Sequence, residues 1–418
     1  MASGLVRRNV TPLAEETLAD TAITVISGAR QVGKSTLMRQ LLDGRSSRAI
    51  SLDSAVDRAA AERDPDGFVA QYPQGTLAID EIQRVPQLII ALKGAVDHDR
   101  RPGRFLVTGS ADLLSLHGAE ESLAGRAQTI PLETFSRGEI AETVEDFASF
   151  AWALPHNGTP ADNAGYTRHD YLRLAISPAF PEIHAATARA QERWLTNYAN
   201  RVLSRDTTDI TGILHPDRLA PLLSLIAARN SGEFAAARVA REVDIPQRTI
   251  PSYLRALQAV YLVRTVPGWS NNLARRAVSF PKVSVADTGL AAHLAGADID
   301  GLERDVSSTL TGGLIEGFVT GELAKQSGWS ERRFGMSHYR DDEGREVDIV
   351  LEDRKREVVG VEVKAASTVG PKDFRGLEYL RDKIGDRFVS GIVLYTGTRS
   401  VPFGERLWAL PLSTLWEH

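Results

Sequence analysis

Gly28-Ala29-Arg30-Gln31-Val32-Gly33-Lys34-Ser35 meets every fixed position of the pattern G-x-x-x-x-G-K-[ST]. Such a stretch can cradle phosphates. Its glycines let the backbone bend so that N–H groups face the anion. The helix that follows adds partial positive charge at its N-terminus. Lys34 is expected to reach the β- and γ-phosphates of ATP. Ser35, followed by Thr36, is expected to offer a hydroxyl to Mg2+. The setting agrees, because an apolar run, AITVISG, precedes the loop and a helical stretch, GKSTLMRQLL, follows it.

Two further segments supply the rest of a phosphoryl-transfer site. TLAIDEI (76–82) sets Asp80 and Glu81 at the end of an apolar strand. Asp80 is expected to hold Mg2+ through water, and Glu81 to orient and deprotonate the attacking water. FLVTGS (105–110) ends in Thr108 and Ser110. In a parallel sheet such strand ends converge on the ligand crevice. Ser110 is therefore expected to touch the γ-phosphate or the water, and it could also cap a helix over ADLL.

A second chemistry is written near the C-terminus. Asp348 lies in REVDIVLED, and Glu362 and Lys364 lie in VVGVEVKAA, with thirteen residues between Asp348 and Glu362. Residues i and i+2 on a strand share a face, so Glu362 and Lys364 project together, beside Asp348 across a hairpin. Two carboxylates can hold Mg2+ or Mn2+, and a lysine can help activate a water. This is the layout of the restriction-endonuclease-like PD-(D/E)xK site, although Val347 stands where a proline is usual.

These residues need elements to position them. Residues 1–150 alternate strand and helix signals, which predicts a parallel sheet with helices on both faces. Expected strands include AISLD (49–53), and RAQTIPLETF (126–135) continues the pattern. PHNGTPADNAG (155–165) reads as a boundary loop. Residues 165–300 read as mostly helical; in RAQERWLTNYANRVLSRD, Trp194, Leu195, Tyr198 and Val202 share one face. Residues 233–269 read as helix, turn, helix, strand. There Ile250, Tyr253, Leu254 and Leu257 are expected inside, and Arg248, Thr249, Ser252 and Arg255 outside. Residues 301–418 read as α-β-β-β-α-β, which agrees with a restriction-endonuclease-like domain.

Composition bounds the alternatives. A chain of 418 residues is long enough for roughly three domains. Hydrophobic residues make up 43% and charged residues 25%, which excludes collagen-like and mostly disordered classes. With no cysteine, disulfide frameworks, thiol catalysis and thiolate metal sites are excluded. The nine histidines show no zinc-ligand spacing, and no Gly-x-Ser-x-Gly elbow occurs. No run suits a signal peptide or a spanning helix, so a cytoplasmic protein without a membrane partner is expected. The net charge is −5, yet Arg229 to Lys282 holds nine basic and three acidic residues. That local surplus predicts a DNA-facing surface. Only eight lysines occur, which makes the position of each informative.

Taken together, GARQVGKSTL, TLAIDEIQRVPQLIIALKGAVD, FLVTGSADLL, ESLAGRAQTIPLETFSRGE and KVSVADTGLAAHL resemble a bacterial and archaeal family of AAA-type ATPases. Its members join an ATPase core to a C-terminal domain of unknown function. The resemblance implies a sensor role for Ser110 and an arginine-finger or sensor role for Arg126. It also implies a winged-helix unit in the middle and a homo-oligomer, since such fingers act across subunits. Glu316, on the helix before the last sheet, matches an acid often found near the metal in similar proteins. An ATP-driven nucleic-acid-processing enzyme is the first expectation. An ATP-dependent switch acting on a protein partner, and a DNA-binding regulator with nucleotide as effector, are the alternatives.

Overall fold

A computed structural model describes residues 5–110, 123–163, 165–207, 213, 215–271, 280–305 and 308–418. The chain is α/β. Its first unit is a five-stranded parallel sheet of β1 (Ile23–Ser27), β2 (Ser47–Ser51), β3 (Thr76–Asp80), β4 (Phe105–Gly109) and β5 (Ala127–Pro131). The order across the sheet is β2-β3-β4-β1-β5. Both faces are covered, and the strand period of two divides each strand between them. Val25, Ile79 and Val107 pack on one side with Leu88, Leu92 and Val96. Ile26, Ala78, Leu106 and Ile130 pack on the other with Leu37 and Leu41 of helix α1 (Lys34–Leu41).

The expected strand at 49–53 forms two residues earlier, at 47–51. Its exposed Arg48 and Ala49 mark an edge strand, so apolar content alone does not fix its limits. The helix expected over Ala111-Asp112-Leu113-Leu114 lies outside the described residues.

After a short helix α2 (Arg137–Ile140), helix α3 (Phe147–Asn157) lies against the C-terminal sheet, where Ser390 Oγ donates to the Ala151 carbonyl at 2.8 Å. The middle of the chain is mostly helical. It contains α4 (Leu219–Ala228), β6 (Gly232–Glu233), α5 (Ala236–Val243), α6 (Ile250–Ala259), β7 (Val263–Val266) and β8 (Lys282–Val285). The three strands form an antiparallel sheet in the order β6-β8-β7.

The last unit is a mixed sheet of β9 (Phe334–Arg340), β10 (Glu346–Asp353), β11 (Val358–Lys364), β12 (Phe388–Tyr395), β13 (Val401–Pro402) and β14 (Leu407–Pro411). Helix α7 (Thr309–Gln326) precedes it, and helix α8 (Arg375–Ile384) joins β11 to β12. The expected α-β-β-β-α-β order is present. β13 and β14 extend it beyond that expectation. β14 pairs in parallel with β12, a non-local partner that no local pattern announces.

α7 bonds segments of both the first and the last unit. Its buried Glu322 accepts from the Arg137 backbone N–H at 2.8 Å and from Lys325 Nζ at 2.8 Å. Lys325 also donates to the Phe135 carbonyl at 2.8 Å. Gln326 bonds the Phe147 N–H and the Leu415 carbonyl. One helix thus ties the exit of the first sheet to the last one. Among the described residues, no helix is long and apolar enough to cross a membrane.

Candidate functional site

The phosphate loop leaves β1 and enters α1. Gly28 is required there by space, because a Cβ would stand 2.0 Å from the Leu132 carbonyl oxygen. Gly33, at φ +101°, turns the chain into the helix. Lys34 is buried, and its Nζ donates to the carbonyls of Gly28 at 3.0 Å and Ala29 at 2.8 Å. The ammonium therefore lies over the loop that would hold the phosphates.

Ser35 Oγ donates to Asp80, at 3.0 Å from Oδ1 and 2.9 Å from Oδ2. Thr108 Oγ1 donates to the same carboxylate and accepts from the Glu81 N–H at 3.2 Å. Glu81 itself is left-handed, at φ 59° and ψ 45°, a strained backbone for a residue with a side chain. Its carboxylate accepts from Gln83 Nε2, and the same amide donates to Ser110 Oγ at 2.9 Å. Ser110 Oγ is 3.4 Å from Glu81 Oε2. Lys34, Ser35, Asp80, Glu81, Thr108 and Ser110, from three strand ends, thus meet at one place. This set fits a nucleotide's phosphates and a Mg2+ ion: a turn open only to glycine, a lysine, a hydroxyl and two carboxylates.

Arg126 stands elsewhere. It precedes β5, whose first residue Ala127 pairs with Ile23 at the start of β1, the end opposite the phosphate loop. There Arg126 Nε donates to Asp97 at 2.6 Å. It does not meet the phosphate loop of its own chain.

The C-terminal residues also converge. The β10–β11 register pairs Ile349 with Val361, which sets Asp348 beside Glu362. Asp348 Oδ2 accepts from the Val363 N–H at 3.0 Å. Lys364 Nζ donates to Glu362 Oε1 at 2.6 Å, whereas Glu362 Oε2 is buried without a hydrogen-bond partner among the described residues. Glu316, from α7, completes the group. These residues line a cleft of about 660 Å3, rimmed by Arg345, Lys372 and Arg375.

A group that the sequence did not suggest lies among them. Lys282, the first residue of β8, is buried, and its Nζ reaches Glu316 Oε1 at 2.8 Å, Asp348 Oδ1 at 3.0 Å and Glu346 Oε1 at 3.3 Å. Asp348 and Glu316, both expected to hold a metal, hold an ammonium. Burial opposes the charge on Lys282, but Asp348, Glu316 and Glu346 outweigh it and keep its pKa well above the ordinary value. Burial likewise pushes Asp348 up, but Lys282 and the Val363 N–H hold it below the usual range. Glu362 is pushed up to about 8 by burial and then by the charge of Asp348, against the pull of Lys364. Among the described residues, no three His, Asp or Glu side chains are arranged to hold a metal ion.

The middle unit buries Ile250, Tyr253 and Leu257 as expected, with Leu254 half-buried. Arg248 and Arg255 are exposed, while Thr249 and Ser252 are half-buried. The basic surplus is smaller on the surface than in the sequence. Arg229 and Arg238 pair with Glu242, Arg264 pairs with Glu133, and Lys282 is inside the cleft. Arg275 and Arg276 lie outside the described residues. Arg241, Arg248 and Arg255 are left on the surface.

Three other residues matter that sequence reading passed over. Arg8 bonds the phosphate loop, Gln83 holds Glu81, and Lys282 enters the cleft. Arg8 and Lys282 act through contacts far apart in sequence. Lysine scarcity was the one available signal for Lys282.

Three domain models match successive parts of the chain. An AAA domain model matches residues 20–141. Two models for domains of unknown function, DUF8612 and DUF4143, match residues 168–300 and 311–415. The uncharacterized protein Rv2008c of Mycobacterium tuberculosis is 30% identical over 412 residues, covering 97% of this chain and 83% of that protein. The uncharacterized protein Mb2031c of Mycobacterium bovis matches with the same figures. Among solved structures, a Walker-type ATPase of Pyrococcus abyssi is 15% identical with a TM-score of 0.40, over 69% of this chain and 96% of that one. The RuvB Holliday junction branch migration motor of Thermotoga maritima is 18% identical with a TM-score of 0.30, over 62% and 89%.

Proposed function

This chain belongs to the family of the mycobacterial proteins Rv2008c and Mb2031c, with an AAA-type ATPase domain at its N-terminus, and from that premise we propose a Mg2+-dependent ATPase that acts on nucleic acid. The observation that carries the ATPase reading is the bond from Ser35 to Asp80, at 2.9 Å, with Lys34 and Glu81 alongside. Residues Gly28 to Thr36 cradle the phosphates through their backbone N–H groups. Lys34 compensates charge on the β- and γ-phosphates. Ser35 and Asp80 would hold Mg2+, which when bound would neutralise charge developing on the phosphates. Glu81 orients the attacking water and takes its proton, while Ser110 and Gln83 fix the Glu81 carboxylate. Arg126 serves a neighbouring subunit in a homo-oligomer, since its own phosphate loop lies at the other end of the sheet.

The nucleic-acid reading rests on the middle unit. The order α4, β6, α5, α6, β7, β8 and its three-stranded sheet support reading it as a winged helix, with exposed Arg248 in the turn before the second helix and exposed Arg255 on that helix. Asp348, Glu362 and Lys364, which line one cleft, support reading the C-terminal unit as a PD-(D/E)xK nuclease. One observation favours a second reading, a regulatory switch that does not cut: the ammonium of Lys282 lies among the carboxylates.

The test incubates the purified protein with labelled single- and double-stranded DNA, with and without ATP and Mg2+ or Mn2+, beside Lys34→Ala and Lys364→Ala. Cleavage lost in Lys364→Ala supports the nuclease. DNA-stimulated ATP hydrolysis without cleavage supports the switch. Loss of ATP hydrolysis in Lys34→Ala is expected under both. No binding of either DNA form at low salt contradicts the nucleic-acid reading.

A further inference from the structure

We infer that the ammonium of Lys282 fills the cation seat of the C-terminal cleft, so that the cleft as folded takes no divalent metal. An ammonium has three donors. Here three carboxylates receive them: Glu316 at 2.8 Å, Asp348 at 3.0 Å and Glu346 at 3.3 Å. The side chain is 6% exposed. A buried ammonium is tolerated only where such partners surround it, and carboxylates packed this closely need a cation between them.

The arrangement leaves one set of ligands for one cation. A metal could take Asp348 Oδ1 and Glu316 Oε1 only by moving Lys282 away. The other oxygen of Asp348 is held by the Val363 N–H. Glu362 lines the same cleft, and its buried Oε2 has no hydrogen-bond partner among the described residues. It is the ligand a metal would add once the seat was open.

Lys282 does not belong to the sheet it plugs. It is paired within the three-stranded sheet, opposite Val266 on one side and Glu233 on the other. The segment between β7 and β8 is pinned to β9 at both described ends. Trp269 N–H donates to the His338 carbonyl at 2.5 Å, and the Phe280 carbonyl lies 3.0 Å from His338 Nε2. The plug is therefore supplied by one unit and received by another.

This inference rests on the reading of Asp348, Glu316 and Glu362 as a cation seat, and not on the ATP site. The test uses the full chain without nucleotide, titrated with Mn2+ and followed by the electron paramagnetic resonance signal of the free ion. Wild type and Asp348→Asn should bind Mn2+ alike. Lys282→Ala and Lys282→Met should each gain one site, at least about tenfold tighter than anything wild type shows, and adding Asp348→Asn should remove it. Wild-type binding at a site lost in Asp348→Asn would overturn the inference while leaving the seat itself in place; that comparison does not depend on any change at Lys282. If both Lys282 variants keep their thermal unfolding transition and gain no site, the carboxylates are no cation seat, and both claims fall.

Discussion

Arg8 Nη1 lies 2.8 Å from the carbonyl oxygen of Val32, so a side chain from the N-terminal segment is bonded directly to the phosphate loop. The same guanidinium donates to Glu139 at 2.9 Å and to the Glu133 carbonyl at 2.7 Å. Arg264, from β7, reaches the Glu133 carboxylate at 2.8 Å. The loop is thus braced by a fork of donors, with the sheet that carries Lys282 fastened to the same residue.

Arg8→Ala should destabilise the protein by about 3 kcal/mol, because Glu139 would stay buried with the N–H groups of Asn9 and Ser136 but without its ion-pair partner. Arg8→Lys should recover little, since a single ammonium cannot reproduce the three-way fork. Chemical denaturation of the three proteins checks this. A loss within about 0.5 kcal/mol of zero would show that the brace is dispensable.

Stability should also depend on Glu145. Burial, and then the charges of Glu322 and Glu139, push its carboxyl up to about 7 from 4.5, with a hydrogen bond to Ser136 opposing. A raised folded-state pKa means that the folded chain keeps a proton the unfolded chain has lost. The stabilisation is complete below about pH 4.5 and is lost as pH rises through about 7. The amount is at most about 3 kcal/mol. Glu145→Gln should flatten the fall in denaturation midpoint between pH 5 and 7, as checked by urea titration across that window. An unchanged slope would contradict this assignment.

The surface of α6 and of the turn before it gives a prediction for DNA. Arg248→Ala and Arg255→Ala should each weaken binding similarly across sequences and reduce the salt slope by about one, as for loss of one phosphate contact. Fluorescence anisotropy against salt concentration measures both. Equal slopes in wild type and variants would place the contacts elsewhere.

The sequence was most legible where chemistry is contiguous or follows a short period. Gly28 to Ser35 lie on one turn, and Asp348, Glu362 and Lys364 follow from strand alternation across a single hairpin. Legibility ended where partners are distant. Lys282 meets Asp348 from 66 residues away, and Arg8 meets Glu139 from 131. Local charge counting also misread Lys282 as part of a basic surface, because the carboxylates that surround it lie on other elements. β14 escaped notice for a similar reason, since its pairing partner β12 is reached only through tertiary structure.

The most direct test concerns Glu81. Phosphate release from ATP should require Mg2+ and should fall at least about a hundredfold in Glu81→Gln, while binding of a fluorescent ATP analogue stays within about threefold of wild type. Removal of the base but not of the phosphate cradle predicts that separation. Glu81→Gln hydrolysing ATP as fast as wild type, or wild type releasing no phosphate with Mg2+ present, would contradict the account.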